Sequence, residues 1–182
     1  MKNKTKSMTS ISFMTAFLCV FGPITLALPI SPIPISFVTL AIYFSVYILG
    51  MKKGVISCLL YLLIGFVGLP VFSAFTGGVG QLFGPTGGYL IGYVFMAMIC
   101  GFFIERWQTN RMMQMVGMLL GTLVCYLFGT VWLSVQAEMS FYTALGVGVL
   151  PFIFGDMVKI VIASIAGPAI RKHLARAGVY NC

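Results

Sequence analysis

MQMVGMLLGTLVCYLFGTVWLSV, residues 113–135, holds one carboxamide (Gln114), a few hydroxyls and no charge. A helix needs roughly 20 apolar residues to cross the hydrocarbon core of a bilayer, so this run is long enough to span one. Working outward, Ile11–Leu28 and Gly88–Ile104 have the same character. The whole chain of 182 residues is 60% hydrophobic and carries charge at only 8% of positions, where a soluble domain carries about 25%. A water-facing surface cannot be assembled from this set. The sequence therefore predicts an all-α, polytopic membrane protein in which residues 1–182 form a single membrane domain within the lipid bilayer.

Prolines, glycines and charges divide the chain into six apolar segments, near 10–28, 35–51, 54–69, 86–105, 113–135 and 149–172. The second and third are short, and are expected to sit deep in the bundle or stop below the outer surface. The first follows a basic start, MKNKTKSMTSISFMTAFLCVFG, which has the form of a secretory signal. No small-x-small cleavage pattern follows it, and it is read as the first membrane helix.

Charge tests this count. Lys2, Lys4 and Lys6 precede segment one, and Lys52 and Lys53 lie between segments two and three. Arg106 and Arg111 separate four from five, while Arg171, Lys172 and Arg176 follow six. Those are ten of the eleven Lys and Arg residues, and the stretches 29–34, 70–85 and 136–148 contain none. In a six-transmembrane-helix bundle all ten share one face, which the positive-inside rule makes cytoplasmic, with both termini. The net charge of +8 is thereby accounted for by topology. Binding of nucleic acid is not expected, because no basic groove with aromatic stacking positions appears.

The same residues argue against an enzyme. There is no paired carboxylate, His-based triad, metal-ligand set or phosphate-binding loop, and the only histidine, His173, sits among tail charges. An enzyme would have to rest on Asp156, Lys159 and a cysteine, with no base beside a nucleophile. The five cysteines lack CxxC spacing and four lie in apolar runs, so they read as small apolar side chains. No cofactor and no metal are expected.

Two features do not fit a plain bundle. Seven glycines fall in the sixteen residues from Gly77 to Gly92, around GQLFGPTGGYL (80–90). Pro85 suits a helix start, and Gly87 and Gly88 would let a ligand approach first-turn amides. Alternatively, Gly84, Gly88 and Gly92 form a GxxxGxxxG ridge for close helix packing. Both readings stand. The second feature is the eleventh basic residue, Lys159, three positions after Asp156 in PFIFGDMVKIVIASIAG (151–167). Residues i and i+3 share a helix face, and ionisable groups inside a span face each other or a cavity. The pair is either a self-neutralising staple or the floor of a pocket.

PVFSAFTGGVGQLFGPTGGYLIGYVF (70–95) together with PFIFGDMVKIVIAS (151–164) resembles the BioY family, the biotin-specific S components of energy-coupling-factor (ECF) transporters; the likeness runs over nearly the whole chain. It implies a six-helix, multi-pass protein of the bacterial plasma membrane that binds biotin from outside. Its implied partners are a transmembrane coupling subunit and two ATPase subunits, which supply the energy. On this likeness Asp156 accepts from the ureido N–H groups and Lys159 donates to the carbonyl or carboxylate of biotin. Gly87 and Gly88 line the wall, with Phe75, Gln81 and Tyr89 adding apolar surface and hydrogen bonds. Ser36 belongs to the loop PIPIS (32–36), which resembles the family's Pro-x-Pro element; Val38 stands where a polar glutamine is expected, leaving the contact from segment two open. The segment 70–85 is expected to act as a lid. On the first helix Ser12, Ala16 and Val20 occupy the spacing of the family's alanine-xxx-alanine coupling surface. Alternatives are an S component or solitary carrier for another vitamin, or a membrane enzyme using Asp156.

Overall fold

The computed structural model describes residues 2–26 and 35–176. The chain begins with helix α1 (Lys2–Phe21), and a two-residue ribbon pairs β1 (Thr25–Leu26) antiparallel with β2 (Ile35–Ser36). The stiff loop expected at Pro32 and Pro34 lies outside the described residues. Helices α2 (Val38–Leu49) and α3 (Met51–Phe66) follow, then a 3-10 turn at Ser73–Phe75 and a four-residue helix α4 (Val79–Leu82). Helices α5 (Gly87–Arg106), α6 (Arg111–Gln136), α7 (Phe141–Gly148) and α8 (Leu150–Arg176) complete the described chain. Three of these, α5, α6 and α8, are long and apolar enough to cross a membrane. The structure is thus a mostly helical membrane protein. The short α7 falls in the stretch expected to be a plain outer loop.

At the centre is α2. Ten of its twelve residues are buried, from Val38 to Leu49, as expected for a short segment held deep in the bundle. For α3, expected either to sit deep or to stop below the outer surface, the first alternative does not apply: only Gly54, Ser57, Cys58, Tyr61 and Gly65 are buried. These five recur at three or four positions, so α3 lays one narrow face on the bundle and leaves the rest uncovered.

The longest contact is between α5 and α6, and small residues make it possible. A Cβ on Gly88 would come 2.3 Å from Trp132 Cβ, and one on Gly92 would come 2.9 Å from Cys125 Cα. In return, a Cβ on Gly129 of α6 would meet the ring of Tyr89 at 2.2 Å. Without a hydrophobic effect between helices in lipid, association relies on this kind of backbone proximity.

One end of the bundle gathers the basic residues. The Met51 amide at the α2–α3 junction donates to Glu105 Oε1 over 2.7 Å. Leu174, late in α8, packs with Met14, Ile48 and Leu49. That brings Lys52, Lys53, Arg106, Arg171 and Lys172 to a common end. At the other end the loops tie to one another: Ser36 Oγ donates to the Gly22 carbonyl (3.3 Å), Trp132 Nε1 to that of Gly84 (2.9 Å) and Tyr89 OH to that of Gly148 (2.8 Å).

Candidate functional site

The chain from Leu150 onward is read as helix because its residues are apolar and uninterrupted; Pro151 falls in the first turn, where its missing N–H is not needed. That fixes Asp156 and Lys159 one turn apart. Both are 6% exposed, and Lys159 Nζ lies 2.7 Å from Asp156 Oδ1. The pair does not close on itself. Lys159 Nζ also donates to the Ser36 carbonyl (2.8 Å) and to Thr39 Oγ1 (3.1 Å). Thr39 Oγ1 donates to Asp156 Oδ1 (3.4 Å), and Tyr126 OH donates to Asp156 Oδ2.

Counting donors and acceptors shows what this cluster offers. An ammonium has three protons, and all three of Lys159 are engaged by this chain. A carboxylate has about four acceptor positions, and three of those on Asp156 are used. The free position is on Oδ2, where Tyr126 is the one donor seen. The buried floor therefore has room for one further N–H or O–H donor, while an added acceptor would have to displace an existing bond.

This floor lies in a small cavity that is open on one side. Five parts of the chain build its wall. Ser36 and Thr39 come from the stretch joining the end of β2 to the start of α2; Phe152, Asp156 and Lys159 from α8; and Thr122, Cys125 and Tyr126 from α6. Tyr89, Leu90, Tyr93 and Met96 come from α5, and Phe72, Ser73, Gln81 and Thr86 from the segment before it. Thr39, Tyr93, Met96 and Thr122 are buried, whereas Ser73, Gln81 and Thr86 are half-buried. The cavity thus opens beside the segment 70–86. Below it, Tyr43 OH and Thr122 Oγ1 share a hydrogen bond of 2.5 Å.

Five of the residues singled out in the sequence meet here: Asp156, Lys159, Tyr89, Gln81 and Ser36. Gly87 and Gly88 do not line this cavity. Gly88 is pressed against Trp132 and the Phe128 carbonyl, and a Cβ on Gly87 would come 1.8 Å from the Leu82 carbonyl oxygen. The Gly87 amide, expected to be bare, donates to the Gly84 carbonyl over 3.0 Å. Gly88 thus sits where α5 meets α6, in line with the packing alternative for the Gly84, Gly88 and Gly92 ridge. Phe75 also lies elsewhere: it is 71% exposed, and Ala74 and Phe75 have φ of 56° and 58°. Two successive non-glycine residues in the left-handed region turn the chain sharply. The aromatic that reaches the wall is Phe72, 2% exposed and edge-on to Tyr61 at 5.6 Å between centroids.

Thr39 and Tyr126, which hold the two oxygens of Asp156, were not singled out in the sequence. A hydroxyl one position after Val38 was the available signal for Thr39. It brings a polar group of segment two to the cavity wall, bonded to Asp156 and Lys159. Ser12, Ala16 and Val20 are all exposed along one side of α1. Among the described residues no group of three metal-ligating side chains occurs, and Cys19, Cys58, Cys100 and Cys125 are free.

Comparison with known proteins agrees with this architecture. A model of the BioY family matches residues 1–176. Biotin transporter BioY2 of Lactococcus lactis subsp. cremoris (strain MG1363) is 32% identical over 177 residues, covering 97% of this chain and 96% of that protein. Biotin transporter BioY of Rhizobium etli (strain ATCC 51251 / DSM 11541 / JCM 21823 / NBRC 15573 / CFN 42) is 34% identical over 147 residues, 76% of this chain and 78% of that one. A crystal structure described as the S-component for biotin from an ECF-type ABC transporter superposes with a TM-score of 0.86 at 30% identity, covering 94% of this chain and 93% of its own. With the match running from α1 to the end of α8, the chain belongs to the BioY family.

Proposed function

We propose that this protein captures biotin from outside the cell and serves as the substrate-specific S component of an ECF-type transporter. The observation that carries this reading is the buried, incompletely satisfied carboxylate of Asp156 at the floor of a cavity. A ureido N–H matches its free acceptor position. Tyr89, Tyr93, Phe152 and Met96 give the apolar bicycle of biotin a wall to lie against. The relatives named as biotin transporters and the solved S-component for biotin support the same ligand.

On this reading α1, α2, α3, α5, α6 and α8 make six crossings of a bacterial plasma membrane. The common basic end faces the cytoplasm with both termini, following the positive-inside rule. The segment 70–85, with Phe72 tucked in and Ser73 and Gln81 at the rim, is the lid. The exposed side of α1 with Ser12, Ala16 and Val20 is where a transmembrane coupling subunit docks. That subunit would link the chain to two ATPase subunits, because no nucleotide-binding motif occurs in this sequence. The test is uptake of labelled biotin by cells lacking their own transporter. Accumulation is expected when this chain is produced together with a coupling module. Equal accumulation with the chain alone would make it a solitary carrier, and none in either case would count against biotin transport.

A further inference from the structure

Floor and mouth of the cavity differ in charge. Among the described residues Lys159 is the only basic one lining it, and its three protons are donated to Asp156, Ser36 and Thr39. At the open side Ser73, Gln81 and Thr86 are neutral. The sequence carries this neutrality further: 29–34, 70–85 and 136–148 contain no Lys, Arg or His, and their single charged residue is the acid Glu138. At the start of α5 the amides of Gly87 and Tyr89 already donate to the carbonyls of Gly84 (3.0 Å) and Thr86 (3.1 Å), and Gly88 does not line the cavity.

A ligand whose N–H head completes Asp156 must send its other end toward this mouth. For biotin that end is a carboxylate on a flexible chain. It would meet two hydroxyls and a carboxamide, groups that both donate and accept, so they serve a carboxamide tail as well as an anionic one. We infer that this chain reads the ureido head of biotin but not the charge of its tail, so that its ligands include carboxyl-capped biotins, amides of biotin in particular, alongside the free acid. The inference rests on the biotin reading above and specifies which half of the ligand is recognised.

The test compares biotin with biotinamide, which replaces one carboxylate oxygen by NH₂ at nearly constant size, by titration into the full-length, detergent-solubilised protein. The amide is expected to bind within about fivefold of the acid, the span of an exposed ion pair. A larger loss would overturn the inference while leaving biotin capture intact. Binding of neither compound would overturn the biotin reading and the inference with it. A second variant checks where the tail lies. Gln81→Arg places a cation at the mouth and is expected to raise the preference for acid over amide by roughly threefold or more. An unchanged ratio, with biotin still bound, would overturn the placement of the tail beside Gln81.

Discussion

Lys159 and Tyr126 grip opposite oxygens of one buried carboxylate. The ammonium, one turn along α8, is 2.7 Å from Asp156 Oδ1, and the phenol, on α6, donates to Oδ2. Asp156 is held from two helices, with Thr39 of α2 as a third anchor. Its remaining lone pair is thereby aimed at the cavity before any ligand arrives. Such preorganisation limits the ordering cost of binding.

Asp156→Asn keeps the shape of the side chain and removes its charge. Hydrogen bonds to charged groups contribute about 1.5–3 kcal/mol, so biotin affinity is expected to fall at least about tenfold. Unchanged affinity in a folded variant would make the Asp–Lys pair a structural staple.

Tyr126→Phe and Thr39→Val test the anchors. Each removes a donor to Asp156 without charge, and a neutral hydrogen bond contributes about 0.5–1.5 kcal/mol. A loss of affinity of roughly threefold to tenfold is expected for each, with a small change in melting temperature. If melting shifts and affinity does not, these hydroxyls serve the fold alone.

Lys159→Met strands a buried carboxylate, which costs about 3–5 kcal/mol. The single variant is expected to melt early. Adding Asp156→Asn removes the stranded charge, and the double variant should regain thermal stability without regaining biotin binding. A double variant as unstable as Lys159→Met would contradict this account of the pair.

Gly88→Val and Gly155→Ala separate packing from tolerance. A Cβ on Gly88 would sit 2.3 Å from Trp132 Cβ and 2.5 Å from the Phe128 carbonyl oxygen, whereas one on Gly155 meets only Ile35 Cγ2 at 3.9 Å. Overpacking typically costs about 1–3 kcal/mol, so Gly88→Val should lower the melting temperature. Gly155→Ala should hold or raise it, since alanine favours helix by about 1 kcal/mol.

Ala16→Arg addresses the exposed side of α1. Biotin binding by the isolated chain should be unaffected, while uptake with a coupling module should fall severalfold. Equal uptake would place the coupling surface elsewhere.

What could be read in the sequence, and what could not, follows from the range of the forces. The membrane class is local: each apolar run declares itself, and the Asp156–Lys159 pair stands out because charge in such a run is costly. Its i, i+3 spacing needs only a helix to bring the two groups together. Tyr126 and Thr39 meet Asp156 across 30 and 117 residues of sequence, and no periodicity announces that. Gly88 shows the opposite difficulty, since a glycine for helix contact and a glycine for ligand access look the same until its neighbour is seen to be Trp132. Phe72 lines the cavity and Phe75 does not, with the positive φ at Ala74 and Phe75 turning the chain between them. The shortness of α3 left open depth in the bundle or an end below the outer surface, and only a narrow face of it, Gly54, Ser57, Cys58, Tyr61 and Gly65, is buried.

The most direct test is calorimetric titration of biotin into the purified, folded, detergent-solubilised chain. Saturable one-to-one binding, lost or weakened at least about tenfold in Asp156→Asn, is the predicted result. Folded protein that takes up no biotin would contradict the assignment of this cavity to biotin.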